Sequence, residues 1–233
     1  MIRQAQVLAA LAAVYDPELD EPITTLGFVG SCVVSTSGEV DVHLRLPTCQ
    51  CAPNFAYLMA ADARDAVAGL PEVGAVRVVL DDHYTGDEIN AAVAGGTGFS
   101  GAFPGETAGS LDALRELFQR KALLARQGRV CETLLAAGFG PEAVVALTVA
   151  DLPGGRDAER CVQLRAALGL PCEPGDPALV AGDGSPIPAE GLRLWLRRAG
   201  LVSLSLESNG GICRSLLEVR YGVSDPTQEV ALT

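Results

Sequence analysis

The sequence predicts an α+β fold in which an N-terminal α-β-β-α-β two-layer sandwich precedes a mainly α-helical C-terminal domain. First, Val40, Val42 and Leu44 alternate with polar residues, which is the period-2 pattern of a half-buried strand. Second, apolar residues between positions 2 and 15 recur at helical spacing. Third, a glycine-rich stretch at 95–110 separates this half from a second half with mostly helical patterns.

The first half contains five predicted elements. The first helix ends before Pro17, because a residue that precedes proline is pushed out of the helical region. Asn54 is the expected N-cap of the second helix, and a turn at 35–38 joins the first two strands into a hairpin. The predicted elements are a helix at 2–15, strands at 27–34 and 40–46, a helix at 55–68 and a strand at 74–80. If the last strand is parallel to its neighbour, the connection should cross over right-handed.

The composition of the chain indicates where the first predicted domain ends and the second begins. The stretch 94–110 holds six glycines and a proline, which neither a helix nor a strand accommodates cheaply, although Phe99 and Phe103 within it could dock on a core. We therefore expect an α+β domain at 1–94, a linker at 95–110 and a helical domain at 111–233. Residues 1–100 carry 4 basic and 13 acidic side chains (net −9), whereas residues 101–233 carry 13 and 16 (net −3).

The second half contains six predicted helices and one short strand. The helices are expected at 111–127, 130–137, 141–147, 157–168, 189–199 and 211–221. The alternation in Leu201–Leu206 predicts the strand, and Asn209–Gly211 is expected to form a turn that opens the last helix. Cys213 would then lie at a helix start, where an exposed thiol has a lowered pKa.

The overall composition excludes several function classes. The net charge is −12 and Lys121 is the single lysine, so a general nucleic-acid binder is not expected. There is no run of about 18 apolar residues and no signal-peptide pattern at the start, which predicts a protein without membrane spans. Seven cysteines, an odd number, are typical of unpaired thiols in a reducing compartment, here the cytoplasm.

Two features of the first half could carry chemistry. Cys49 and Cys51 lie in a loop just before a predicted helix, whose N-terminus favours the thiolate, the form that binds soft metals and iron–sulfur species. Asp16, if it folds near this loop, could add an oxygen ligand or a base, and His83 is a further possible ligand. The alternatives are that the cysteines are small buried hydrophobes and that Asp16 only forms a turn.

These motifs occur in an order that resembles the MIP/SufT/PaaD-type iron–sulfur assembly domain over about residues 1–95. The resemblance rests on Val14–Glu18, on Leu26–Val29, on the strand that ends in Pro47-Thr48 before a cysteine and a helix, and on His83–Asn90. It implies an α+β fold, frequent dimerisation, a transiently held iron–sulfur cluster or iron, and a role in cluster assembly or delivery. Asp16 and Cys51 match the characteristic residues of the family, with Cys49 either an extra thiol or the true equivalent.

The second half shows no resemblance to a known family. Arg193, Arg197 and Arg198 flank Trp195, and arginine and tryptophan are enriched at interface hot spots. These four residues are candidates for binding a partner, although a solvated helix face explains the same charges.

The sequence predicts an accessory factor for iron–sulfur cluster or iron-centre assembly, more typically a maturation factor than an enzyme. It contains no Gly-x-x-x-x-Gly-Lys-Ser/Thr loop and no recognisable catalytic triad. The expected partners are a client metalloenzyme and the iron–sulfur assembly machinery, with a homodimer as the expected assembly. The alternative is a non-catalytic adaptor that binds a metalloenzyme without handling metal. A DNA-binding regulator is the least favoured function.

Overall fold

A computed structural model describes residues 2–106 and 110–222 of the chain. Residues 107–109 of the predicted linker and residues 223–233 of the predicted helical domain lie outside the described residues. The chain divides into two compact units. The first comprises the chain up to Ala113 together with the segment from Asn209 onward, and the second comprises Leu114–Ser208.

The described part of the chain is mostly helical, with two small sheets near its start. The helices are α1 (Gln4–Leu11), α2 (Pro53–Ala68), α3 (Gly86–Gly95), α4 (Phe99–Ala102), α5 (Asp112–Ala136), α6 (Pro141–Val145), α7 (Arg156–Ala167) and α8 (Ala189–Tyr221), with a single 3₁₀ turn at Val149–Asp151. The strands are β1 (Tyr15–Asp16), β2 (Glu21–Pro22), β3 (Val29–Val34), β4 (Val40–Leu44) and β5 (Val76–Leu80). The predicted α+β fold class with a helical second half is therefore confirmed.

The first unit is built around a three-stranded sheet. Strand β4 is central, antiparallel to β3 and parallel to β5. Helix α2 contacts α1 and β5, so the predicted α-β-β-α-β layers are present. At the β3–β4 turn, Gly38 has φ +85° and a Cβ there would lie 2.7 Å from the Glu72 carbonyl oxygen, so only glycine fits.

Two boundaries in this unit differ from the prediction. Helix α1 ends at Leu11, because Tyr15 and Asp16 leave the helix to pair antiparallel with Pro22 and Glu21. Helix α2 begins at Pro53 rather than after Asn54, because the fixed φ of proline suits the first helical turn.

The segment after β5 contains structure that the sequence did not predict. Helix α3 packs on α2 and β5, and the Asn90 side chain holds the strand end through its Oδ1 and Nδ2, at 2.8 and 3.1 Å from the backbone N and O of Leu80. Within the predicted linker, Phe99 is buried and contacts the rings of Tyr57 and Phe103.

The second unit has a helical core that includes Leu123, Val130, Cys161, Leu164 and Leu192. The Arg165 side chain is fully buried beside it and donates to the carbonyls of Pro171, Pro177 and Ala178. Arg165 thereby contributes to holding a proline-rich loop, because these three carbonyl oxygens would otherwise lack their donor. A Cβ at Gly128 would lie 2.6 Å from the Ala199 Cβ, so glycine permits the close approach of α5 and α8.

Three predictions for the second half are wrong. The helices expected at 111–127 and 130–137 are one helix, α5, and the segments at 189–199, 201–206 and 211–221 are all part of α8. No strand forms at Leu201–Leu206, since its pattern also suits a helix that leaves Leu201 and Leu204 exposed. The turn expected at Asn209–Gly211 is likewise helical, because each glycine lowers the stability of a long helix by only about 1 kcal/mol.

Candidate functional site

Asp16 closes a tight, acidic turn in the first unit. The Asp16 Oδ1 accepts hydrogen bonds from the backbone N–H groups of Glu18 and Leu19, at 2.8 and 2.9 Å. The Asp16 carbonyl accepts a third from Asp20, whose φ is +50°. The turn explains why Asp and Pro occur together here, because the aspartate side chain satisfies the amides that the turn leaves free.

The carboxyl of Asp16 is buried, with 7% of the residue exposed. Burial raises its pKa from 3.8 to about 6, against the two backbone hydrogen bonds that lower it, and the nearby charges of Glu18 and Glu21 raise it further. A carboxyl with this pKa exchanges a proton in the neutral range. The group can therefore act as an acid or a base toward a neighbour, which a turn-forming aspartate in water cannot.

The cysteine loop lies between the sheet and α2. Cys49 is exposed, Cys51 is half-buried, and the Thr48 hydroxyl lies 3.5 Å from the Cys51 Sγ. The same hydroxyl accepts a hydrogen bond from the Gln50 N–H at 3.2 Å. Because α2 begins at Pro53, Cys51 lies just ahead of a helix N-terminus, as predicted, and the positive end of the helix dipole faces this loop.

His83 holds the cysteine loop from the opposite side. Its Nε2 lies 2.7 Å from the Cys51 carbonyl, so that nitrogen carries the proton and donates. Its Nδ1 accepts from the hydroxyl and the backbone N–H of Thr85, at 3.1 and 3.3 Å. The neighbouring Tyr84 N–H donates to the Cys49 carbonyl at 3.0 Å. Both ring nitrogens are engaged, so His83 in this arrangement positions the loop, and a metal would have to displace one hydrogen bond.

The end of α8 contacts both sides of this region, which the sequence did not predict. Arg214 forms an ion pair with both carboxylate oxygens of Glu21, at 3.0 and 2.9 Å. Arg220 donates to the carbonyl of Leu46 at 3.1 Å and to the carbonyl and carboxylate of Asp82. These contacts connect the last turns of α8 to the acidic turn, to the start of the cysteine loop and to the residue before His83.

Cys213 lies on the same stretch of α8 as Arg214, half-buried. Burial raises the pKa of its thiol to about 11, and the negative charges of Asp16 and Cys51 raise it further. The conditions for the lowered pKa that the sequence suggested, exposure at a helix start, are not met, because Cys213 is half-buried and lies within α8. The electrostatic influence of Asp16 and Cys51 marks Cys213 as a third thiol near the candidate site.

The described residues hold no group of three or more His, Cys, Asp or Glu side chains arranged to bind a metal ion. None of the seven cysteines forms a disulfide, and Cys32, Cys131 and Cys161 are buried. Burial raises the pKa of these three thiols to about 11, 11 and 12, so they are inert packing groups. Among the cysteines of the first unit, Cys49, Cys51 and Cys213 are therefore the ones that are not fully buried.

The four candidate partner-binding residues all lie on α8 within the second unit. Arg193, Arg197 and Arg198 are exposed, whereas Trp195 is half-buried and packs against the helical core. Their spacing places Arg198 beside Trp195 along one side of the helix, at i and i+3.

The fold and these residues define an α+β domain that carries a paired-thiol loop and a buried carboxyl. Residues 4–78 match the family described as iron-sulfur cluster assembly protein, so the first unit contains an iron–sulfur cluster assembly domain, as the sequence motifs predicted.

Curated relatives match the same region. The chain is 42% identical over 77 residues to an iron-sulfur cluster carrier protein of Mycobacterium tuberculosis and to one of Mycobacterium bovis, which covers 33% of this chain and 20% of each relative. It is 36% identical over 78 residues to the iron-sulfur cluster carrier protein of Mycobacterium leprae, covering 34% and 20%. The chain thus matches about a fifth of the length of these relatives. No solved structure matches it.

None of the helices in the described part of the chain is both long and apolar enough to span a membrane.

Proposed function

We propose that this protein assembles an iron–sulfur cluster, or an iron centre, and delivers it to a client metalloenzyme in the cytoplasm. The cluster is cargo, held transiently by the thiolates of Cys51 and Cys49. One observation carries the proposal: the half-buried Cys51 thiol lies in a loop fixed by Thr48 and His83 at a helix N-terminus. The family match and the relatives named as cluster carriers support it.

Asp16 supplies the proton chemistry of this exchange. Thiols bind iron as thiolates, so loading releases protons and unloading consumes them. A carboxyl with a pKa of about 6 accepts a proton at loading and returns one at release.

A cluster needs more ligands than one chain offers here. Iron–sulfur clusters are commonly held by four cysteines, whereas the loop carries two. We therefore propose that two copies share the cargo in a homodimer. Ile212, Leu216 and Val219 support this proposal, since they form an apolar stripe on the outward side of the end of α8, with exposures of 59%, 41% and 87%.

Sedimentation of the purified protein tests the dimer. Wild type is expected to sediment as a dimer and Val219→Glu as a monomer, because a charge in an apolar contact stays unpaired. Val33→Glu, at an exposed apolar residue on β3, is the matched control and is expected to remain dimeric. A monomeric wild type, or a dimer that tolerates Ile212→Glu and Val219→Glu together, would contradict the proposal.

Anaerobic reconstitution with iron and sulfide tests the cargo site. We expect wild type to acquire the visible absorbance of a cluster, and Cys51→Ala to lose it. Cys49→Ala and Asp16→Ala should reduce its amount or lifetime. Cys172→Ala, which removes a half-buried thiol of the second unit, is the matched control. If Cys51→Ala, Cys49→Ala and Asp16→Ala all load and activate a client like wild type, the protein is an adaptor and the proposal fails.

The client is proposed to bind the second unit through Arg193, Trp195, Arg197 and Arg198. Charge reversal of the three arginines together is expected to abolish client activation while leaving cluster absorbance unchanged, which separates client binding from cluster binding.

A further inference from the structure

The second unit contains a cleft of about 440 Å³ between α5, α8 and the segment 180–182. Its walls are mostly apolar and include Leu123, Leu124, Val180, Trp195 and Val202. Its volume and its largely apolar lining match those of protein sites that bind small molecules or short peptide segments.

The cleft is held open by polar contacts behind its walls. The buried Gln127 side chain bonds both backbone groups of Val180, at 2.8 Å to the N and 3.1 Å to the O. The Arg120 guanidinium also donates to the Gly182 carbonyl. These bonds fix the 180–182 wall against α5, so the cleft is formed before any ligand binds.

The charged side chains that line the cleft are all positive. Arg120, Lys121 and Arg198 line it, and no carboxylate does, although the whole chain has a net charge of −12. Arg120 is engaged by Glu116, and Lys121 lies 4.4 Å from the centre of the Phe118 ring. Within the described residues, Arg198 has no hydrogen-bond or ion-pair partner, so its charge is available to a ligand.

We propose that this cleft binds a short acidic peptide segment of a partner protein, whose apolar side chains enter between the helices. The two available cations, Lys121 and Arg198, lie on different helices and therefore suit two carboxylates that flank an apolar body. The cleft shares Trp195 and Arg198 with the client surface proposed above, so this inference rests on and deepens that part of the proposed function, and it does not depend on cluster binding by the first unit.

The single tryptophan of the chain, Trp195, lines the cleft and reports on its occupancy. The probe is a synthetic peptide that alternates aspartate with pairs of leucine, titrated into the full-length protein while Trp195 emission is recorded. Two control peptides replace every aspartate by asparagine or every leucine by serine. We expect saturable binding of the acidic, apolar peptide, and binding at least about tenfold weaker for each control peptide.

Substitutions at the cleft test whether the probe peptide binds there. Arg198→Glu and Lys121→Glu are expected to weaken binding of the probe peptide at least about tenfold. Arg156→Glu, which reverses an exposed arginine at the start of α7 outside the cleft, is expected to bind like wild type. Equal binding of the asparagine peptide, insensitivity to Arg198→Glu, or saturation by dodecanoate where the acidic peptide gives no change would each overturn the proposal.

Discussion

Arg214 in α8 and Glu21 in β2, 193 residues apart in the chain, form an ion pair in which the Arg214 Nη1 bonds both carboxylate oxygens of Glu21. Glu21 pairs directly with Asp16 across the β1–β2 ladder, so the ion pair connects the end of α8 to the strand that carries the buried carboxyl. The pair itself is part-exposed and contributes at most about 1 kcal/mol. Its importance lies in the stretch of α8 that it fixes, which carries Cys213, a thiol whose pKa is raised by burial and by the charge of Asp16.

Breaking this ion pair is expected to expose the Cys213 thiol. In Arg214→Ala, the cysteine should react with iodoacetamide up to about fivefold faster, because about 1 kcal/mol that holds the helix end is lost. Mass spectrometry of the alkylated peptides separates Cys213 from the other thiols, with Cys172 as the internal reference. The double swap Glu21→Arg with Arg214→Glu should restore slow labelling. Unchanged labelling in Arg214→Ala would show that the pair does not hold the helix end.

Arg220 is expected to hold the cysteine loop together with the segment around His83. Arg220→Ala removes the charged donor from the part-buried carbonyl of Leu46 and the exposed carbonyl of Asp82, which costs about 1 kcal/mol locally. Hydrogen exchange at the Tyr84 amide, which bonds the Cys49 carbonyl, should therefore accelerate. Arg77→Ala, which removes an exposed pair with Asp41 in the same unit, serves as the control and should leave that amide unchanged. Equal exchange in the two variants would contradict the prediction.

The raised pKa of Asp16 predicts a specific pH dependence. The folded state binds this proton more tightly than the unfolded chain does. Its contribution to stability is therefore complete below pH 4 and is lost as the pH rises through about 6. Asp16→Asn keeps an oxygen that accepts from the amides of Glu18 and Leu19 but carries no charge.

Between pH 4 and pH 7, the apo Asp16→Asn variant should gain about 2.5 kcal/mol of stability relative to apo wild type. Hydrogen exchange of the slowest amides in β3 and β4 measures the difference. A difference that stays constant with pH would show that the carboxyl titrates normally.

Arg165 is expected to be required for the stability of the second unit. Arg165→Met leaves the carbonyls of Pro171, Pro177 and Ala178 without a donor and should cost at least about 3 kcal/mol. Arg165→Lys should rescue little, because an ammonium cannot reproduce the planar fork of donors. Urea unfolding followed by Trp195 fluorescence reports on this unit, and Arg156→Met is the exposed control. A midpoint equal to that of the control would contradict the structural role.

The parts of the fold that the sequence predicts are those with local signals. The alternation from Val40 to Leu44 and the Ser35–Gly38 turn define the β3–β4 hairpin, and proline and cysteine mark the loop before α2. The continuity of α8 carries no such signal, because Gly200, Gly210 and Gly211 resemble breaks and the Leu201–Leu206 pattern suits a strand equally well.

The residues of the candidate site fall into the same two groups: those that a local sequence pattern predicts and those that only the folded structure brings in. Asp16, Cys49 and Cys51 could be found from their motifs, since each lies in a short stretch with a defined chemistry. The contributions of Cys213, Arg214 and Arg220 depend on pairings across more than 130 residues, which no local pattern encodes. The double engagement of the His83 ring likewise follows from tertiary structure, because one of its partners is the carbonyl of Cys51.

Cluster transfer tests the central claim most directly. Protein reconstituted with iron and sulfide is mixed anaerobically with an apo-ferredoxin in the presence of a chelator, and the acceptor's visible circular dichroism is followed. Wild type and Cys172→Ala are expected to load the ferredoxin faster than the chelator removes iron, whereas Cys51→Ser should not load it. Transfer by Cys51→Ser at the wild-type rate, or no transfer by wild type, would contradict the account.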